Sequence, residues 1–358
     1  MPRIEVNIGT GFYVDDAKPL ANQRCVNAYP EIPQTTALSQ ASVYGTPGLN
    51  EIVITGREKA DANRGAWVKA GIPYFVNKQT IYRLDRTVVN EFETFTATPL
   101  GTIEGVARCS FADNGTQLLV LVPGEKGYIV DENNGPVVQE ITDPDFNITN
   151  GRPQFVVYVD GYFVVSTDSK RFINSAINDG FSWSALDFGS AEVDPDNIVA
   201  PFVFKNTLYI AGESTIESFN NEGGAGFPFQ RIDGFIIDKG VYAPYSISVF
   251  NNSVMWVGTA ENESIAVYQL QGSDAVKIST IAIDSMLQSL TSEQQRNIFS
   301  WSYSQKGHFF IAFTSVMFTF VYDMTTGLWH ERESQVQDTA GNEIIQRCRV
   351  NSVAGAYG

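Results

Sequence analysis

The sequence predicts an all-β fold: a β-propeller of about six to seven four-stranded blades, with a short helical insert. Three observations predict it. Apolar strands of β-branched and aromatic residues recur about every 45 residues. Gly, Asn or Asp stands between successive strands, where hairpin turns need positive φ. Charged residues are only 18% of the chain, against 24 Phe, 15 Tyr and 30 Gly, a balance that favours strands and tight turns over helices.

The repeat is read from the turn that follows each inner strand. Such turns fall at Gly71, Gly115, Gly161, Asn206, Asn252 and Gly307, the last interval being about ten residues longer than the others. A second apolar strand follows each turn at once: Tyr74–Val76, Leu118–Val122, Tyr162–Val165, Leu208–Ile210, Val254–Trp256 and Phe309–Phe313. Third strands are read at Ile81–Leu84, Tyr128–Val130, Ile265–Leu270 and Phe318–Tyr322. A single four-stranded sheet cannot cover both its faces, so blades must stack radially and bury one another. At about 25 cal/mol per Å² of apolar surface, that burial is the main stabilising term.

The long interval has its own cause. Ile283 to Arg296 reads as helical, and Thr291 with Gln294, or Ser292 with Gln295, has capping-box spacing. The segment is expected to project from one rim, as loop filler or as a knob for a partner.

At the termini, Ala41–Tyr44 and Glu51–Ile54 read as strands, and Gln346–Val353 as the inner strand of a further blade. The expectation is a lead-in over residues 1–55 that partly closes the last blade, then a propeller over 56–358 with a seventh blade shared between the termini. The stop at Gly358, where a turn is due, suggests that the natural chain continues or that this form is truncated.

The formal charge of −16 argues against a nucleic-acid binder, because such a field repels phosphate. Cys25, Cys109 and Cys348 are odd in number and far apart, which suits reduced thiols in a cytosolic setting. No signal-peptide core opens the chain, and no run approaches 18 apolar residues, so membrane insertion is not expected.

Signals for chemistry are weak. His308 and His330 are the only histidines and lack ligand-spaced partners; packing among aromatics, or donation to a carbonyl, is the expectation. No Gly-x-Ser-x-Gly elbow is present. Asn178–Trp183 partly resembles the Asp-box turn of sialidase-like propellers, with Asn178 where Asp is wanted and Ala176 where Ser is wanted. A glycan-binding or glycan-cleaving propeller is therefore the alternative function. Glycosidases need two carboxylates flanking the bond, and Glu104, Glu213, Glu217 and Asp323 are available without being singled out. Asp143-Pro144-Asp145 and Asp194-Pro195-Asp196 read as turn starts rather than calcium ligands. Gly223-Gly224-Ala225-Gly226 is not a phosphate loop, since no Gly-Lys-Ser/Thr follows. Neither a cofactor nor a catalytic or metal residue is expected. Trp67, Trp183, Trp256, Trp301 and Trp329 are expected between blades, and an exposed one would be the first choice for a protein interface.

One stretch is more specific. Gly212-Glu213-Ser214-Thr215-Ile216-Glu217-Ser218-Phe219-Asn220, followed by Gly226-Phe227-Pro228-Phe229-Gln230-Arg231-Ile232, reads as a turn, a strand, a glycine-rich loop and another strand. With it go Phe172–Asp179, Ser182–Phe188 (including Trp183 and Asp187), Ala191-Glu192, Pro195–Val199, Gly234, Gly240 and Lys277–Thr280. Arg24–Pro30 and Gly45–Leu49 complete the set near the start. In this ordered wording the chain resembles the packaged DNA stabilisation proteins, the tail hubs or nozzles of short-tailed bacteriophages.

That resemblance implies a structural virion protein rather than an enzyme, assembled in the host cytoplasm into the tail. It implies a six-fold ring of copies that extends the DNA channel below the portal and its adaptor ring and retains the genome. Further implied partners are the tail needle and tailspikes or fibres, with no sequence-specific nucleic-acid contact. Gly212, Ser214, Thr215, Ile216, Glu217, Phe219, Pro228, Phe229, Trp183 and Asp187 are then structural motif residues. The candidate interface is Asn221 and Phe227 in the loop at 221–227, Met286, Leu287 and Leu290 in the insert, and the lead-in 1–50.

Overall fold

The computed structural model describes residues 11–14, 22–32, 42–55, 63–191, 197–224, 226–260, 263–337 and 341–356. Asp194-Pro195-Asp196, Glu192, Ala225, Ala41, Gly358 and much of the lead-in lie outside the described residues.

In chain order, β1 (Tyr13–Val14) pairs with β2 (Asn22–Gln23), and β3 (Ala28–Glu31) with β4 (Ser42–Gly45). Six four-stranded antiparallel blades follow. The first is β5 (Asn63–Lys69), β6 (Ile72–Asn77), β7 (Thr80–Val89) and β8 (Phe92–Thr102). The second is β9 (Ser110–Asp113), β10 (Leu118–Leu121), β11 (Gly127–Val130) and β12 (Val138–Glu140), followed by α1 (Pro144–Asn147). The third is β13 (Pro153–Val159), β14 (Tyr162–Thr167), β15 (Arg171–Ala176) and β16 (Asp179–Ser190). The fourth is β17 (Ile198–Phe204), β18 (Thr207–Gly212), β19 (Ile216–Asn221) and β20 (Phe229–Ile237). The fifth is β21 (Ser248–Phe250), β22 (Ser253–Gly258), β23 (Ala266–Gln271) and β24 (Asp274–Lys277). After α2 (Ile281–Gln288) and α3 (Ser292–Arg296) comes the sixth: β25 (Phe299–Gln305), β26 (His308–Thr314), β27 (Thr319–Asp323) and β28 (Leu328–Glu331). A ribbon of β29 (Glu333–Gln337) and β30 (Glu343–Arg347) ends the strand order. The fold is a β-propeller of six such blades, as the repeat predicts.

The turns explain the periodicity. Both residues between the first two strands have positive φ at Ala70-Gly71, Asp160-Gly161, Lys205-Asn206, Asn251-Asn252 and Lys306-Gly307. That is the two-residue hairpin whose twist matches the flanking strands, and Gly and Asn supply it at least cost.

The chain divides into two compact units, one of Met1–Leu49 with Tyr242–Arg349 and one of Asn50–Val241 with Val350–Gly358. The second holds blades one to four, packed face to face. Strand β10 is buried throughout because Leu118 and Val120 face the Tyr74–Val76–Ile81 side of the first blade. The alternate residues Leu119 and Leu121 face Phe163, Val165 and Ile173 of the third. A continuous apolar run thus serves two interfaces, since successive side chains leave opposite faces of a strand.

In the other unit one core joins blades five and six. Met255, Val257 and Val267 meet Ile311, Phe313, Phe320 and Trp329, with Ala282, Ile283, Leu287, Leu290 and Ile298 of the insert between them. The capping box is present at Thr291 and Gln294. The insert is therefore docked in the core rather than projecting as a knob, because its apolar face is needed there.

Among the described residues there is no seventh four-stranded sheet: β3–β4 and β29–β30 are separate two-stranded ribbons, and 51–54 and 348–353 form no strand. Described residues of the lead-in lie along the outer strand of the sixth blade. Val26 makes a parallel bridge to Glu331, and Phe12 N–H donates to the Trp329 carbonyl at 2.6 Å.

Candidate functional site

Among the motif residues, Phe219 and Phe229 lie in the seam between blades three and four. Gly212 N–H donates to the Thr215 carbonyl at 2.8 Å, closing the turn that carries Ser214. Ile216 then enters the blade fully buried, and Phe219 meets Phe172 edge-on with ring centroids 5.1 Å apart. Pro228 and Phe229 are buried on the partner strand. Glu217 is buried too, and Arg231 of β20 lies 3.6 Å from its carboxylate. Gly240 allows the backbone to come close here: a Cβ at that position would stand 2.2 Å from the Glu213 carbonyl carbon.

The Asp-box-like turn is also structural. Asp179 Oδ1 accepts from Phe181 N–H at 3.0 Å, Trp183 Nε1 donates to the Gly180 carbonyl at 2.9 Å, and the indole packs on Phe146. Asp187 sits partly buried beside Gly226. Asp143 caps α1 through Asp145 N–H and also accepts from Trp183 N–H, while Asp145 accepts from Ala185 N–H. Both carboxylates of that Pro turn are thus engaged by backbone donors.

The candidate interface divides. Asn221 Oδ1 accepts from Gly223 N–H at 2.8 Å and shapes its own loop. Phe227 is half-buried against Phe172 and Phe229, in space left by Gly189. Leu287 and Leu290 are core residues, 2% and 5% exposed, and this corrects their place in the candidate surface. Met286 remains accessible. Of the tryptophans, Trp67 is exposed, with Nε1 donating to Asp113 at 2.6 Å.

Three of the four carboxylates considered for glycan cleavage have separate duties. Glu104 pairs with Lys126 at 3.1 Å, Glu217 with Arg231, and Asp323 with His308. No cluster of metal-ligating side chains occurs among the described residues. Burial pushes the Cys109 thiol up to about 11, away from thiolate chemistry.

A charged cluster that sequence reading missed lies where the lead-in meets the sixth blade. His308 Nδ1 stands 2.7 Å from Asp323 Oδ2, and its Nε2 2.8 Å from Glu31 Oε2 on β3. Asp323 is fully buried and also accepts from Thr325 N–H and the Thr326 hydroxyl. Burial would lower the imidazole's pKa, yet the hydrogen bonds to Glu31 and Asp323 raise it above the ordinary 6.5. Beside it Arg24 reaches Glu331 and Glu333, each at 2.6 Å. Glu31 is too far along the chain from His308 for any spacing signal to have found the pair. His330 contrasts: it is fully buried, neither ring nitrogen has a hydrogen-bond partner among the described residues, and burial pushes it down to about 4, helped by Arg332.

The family model described as "Bacteriophage P22 Gp10, beta-propeller" matches residues 4–349. No curated protein sequence matches the chain. Among solved structures, PorZ of Porphyromonas gingivalis, a surface component of the type-IX secretion system, is similar at 9% identity and TM-score 0.48. That match covers 82% of this chain and 34% of PorZ, so the chain spans about a third of that protein's length. BamB from Moraxella catarrhalis is similar at 11% identity and TM-score 0.44, over 82% of this chain and 85% of BamB. With TM-scores below 0.5, neither carries weight for this chain.

Proposed function

Given that this chain belongs to the Bacteriophage P22 Gp10 β-propeller family of phage stabilisation proteins, we propose that it is the hub or nozzle of a short phage tail. In this role it extends the DNA channel below the portal-adaptor ring, retains the packaged genome, and docks needle and tailspike or fibre proteins. The observation that carries the reading is the family match over 4–349, nearly the whole chain. A structural role is supported further by the duties of the motif residues: they turn, pack and pair within blades, and of the candidate catalytic carboxylates Glu104 and Glu217 are held by blade cations and Asp323 by His308.

The partners in this reading are further copies of the chain in a six-fold ring, the adaptor above, and the needle and receptor-binding proteins. Contact surfaces are the exposed Trp67 and Met286, since aromatic and flexible apolar side chains anchor protein interfaces. The charge of −16 suits a channel wall that avoids gripping phosphate.

Electron microscopy of particles carrying the protein tests the role. Density on the tail axis below the portal is expected, together with ring formation when purified protein is added to portal-containing heads. Location elsewhere on the particle, or product release from host polysaccharide, would overturn it.

A further inference from the structure

We propose that residues 24–31 form a pH-operated strap, held tightly on the sixth blade while the His308 imidazole carries two protons and loosened when it loses one. The argument is one of donors and acceptors. Both ring nitrogens face carboxylate oxygens, Asp323 Oδ2 at 2.7 Å and Glu31 Oε2 at 2.8 Å. A carboxylate can only accept, whereas a neutral imidazole has one N–H to give. The geometry therefore belongs to the imidazolium. Removing one proton turns one of the two contacts into lone pair against lone pair.

The contact that breaks is the one to the strap. Asp323 is fully buried and held by the Thr325 N–H and the Thr326 hydroxyl, so it keeps the remaining ring proton. The Glu31 side chain is 41% exposed and can turn to water. Next to Glu31, Tyr29 packs on the same ring with centroids 4.9 Å apart and is fully buried among Phe310, Ala312 and Val321, so the strap keeps an apolar anchor when the Glu31 contact is lost.

Other charged or titratable groups lie on the elements packed around this site. Tyr303 comes from β25, His330 from β28 with Arg332 just beyond it, Tyr29 from β3, and Tyr44 from β4 beneath Lys306. Among these cations and phenols, Glu31 and Asp323 are the groups hydrogen-bonded to the imidazole, and they set its proton affinity. The rest of the strap is held by other contacts: Asn27 N–H to the Glu331 carbonyl at 3.0 Å, Glu331 N–H to the Cys25 carbonyl at 2.8 Å, and Arg24 on Glu331 and Glu333. The strap thus weakens with rising pH without the blade having to open. The device concerns the chain alone and stands or fails apart from the tail role.

Hydrogen exchange by mass spectrometry tests it, with rates converted to protection factors so that the intrinsic pH dependence cancels. The readout is the peptide covering 24–31, and a peptide from β10 is the control. Between about pH 5.5 and 8.5, the range in which a histidine charge changes, protection of the strap peptide should fall roughly tenfold while the control holds. In Glu31→Gln the amide can donate to the neutral ring, so strap protection should stay level over the same range. Equal strap protection at both pH values in the parent protein, or an unaltered pH dependence in Glu31→Gln, would overturn the proposal.

Discussion

His330 makes the fold acid-labile by an amount that follows from its surroundings. It is fully buried on β28, with no partner for either nitrogen among the described residues, and its proton affinity is lowered to about pKa 4 from an ordinary 6.5. The unfolded chain therefore binds a proton at this residue as pH falls through about 6.5, while the folded chain binds it only near 4. Stability is full above 6.5, is lost as pH falls, and stops falling once both states are protonated. At about 1.4 kcal/mol per pH unit, the loss is about 2 kcal/mol by pH 5 and about 3 kcal/mol at and below pH 4. His308 has the opposite sign: its raised affinity stabilises below 6.5 and that contribution disappears as pH rises. The comparison must therefore be a difference between variants that share His308. His330→Leu removes the titration and leaves no orphaned polar atom, so its stability should exceed that of the parent increasingly toward acid. Urea unfolding followed by tryptophan fluorescence at several pH values between about 4 and 7.5 supplies the two slopes. If parent and variant lose stability in parallel across that range, the buried imidazole is not the cause and the reasoning would fail.

Further outcomes follow from the packing. Leu287→Ala should cost about 2–5 kcal/mol by thermal or urea unfolding, since the side chain lies in the core between blades five and six. For the same reason, deletion of 284–296 should unfold this unit rather than leave a sound monomer, visible as lost near-ultraviolet circular dichroism. Thr291→Ala removes one half of the capping box on an exposed helix and should cost about 1 kcal/mol, measurable as a lowered urea midpoint. Gly240→Ala drives a methyl into the backbone at Glu213 and should cost about 3 kcal/mol or express insolubly; a soluble variant with an unchanged melting temperature would contradict the close approach. Trp67→Ala should cost about 1–3 kcal/mol through its lost bond to Asp113 and, if this indole is also an interface anchor, weaken ring formation on portal-containing heads.

The blades were legible in the sequence because their signals are local. Positive φ at Asp160-Gly161 or Lys306-Gly307 is a property of two adjacent residues, and the strands on either side alternate within a few positions. The capping box at Thr291 and Gln294 is equally short-ranged. The family resemblance was legible too, since it rests on the wording of runs such as Gly212–Asn220. What was misjudged depended on contacts between distant segments. Leu287 and Leu290 form an apolar pair on a short helix, and nothing local says whether that face meets solvent or a neighbouring blade. The pairing of the terminal segments was not legible for a similar reason. A few apolar residues near each terminus have strand character, but the register they adopt depends on which edges are already occupied.

From sequence alone came the strand period, the turn chemistry, the insert's helical nature and the family. Those rest on interactions spanning at most a hairpin, or on residue identity itself. Tertiary structure alone decided that Glu31 would find His308 and Asp323, that His330 would be sealed with no partner among the described residues, and that the insert would pack inward. Each depends on burial and on the meeting of groups far apart along the chain, where desolvation and hydrogen-bond geometry, rather than spacing, determine what a side chain does.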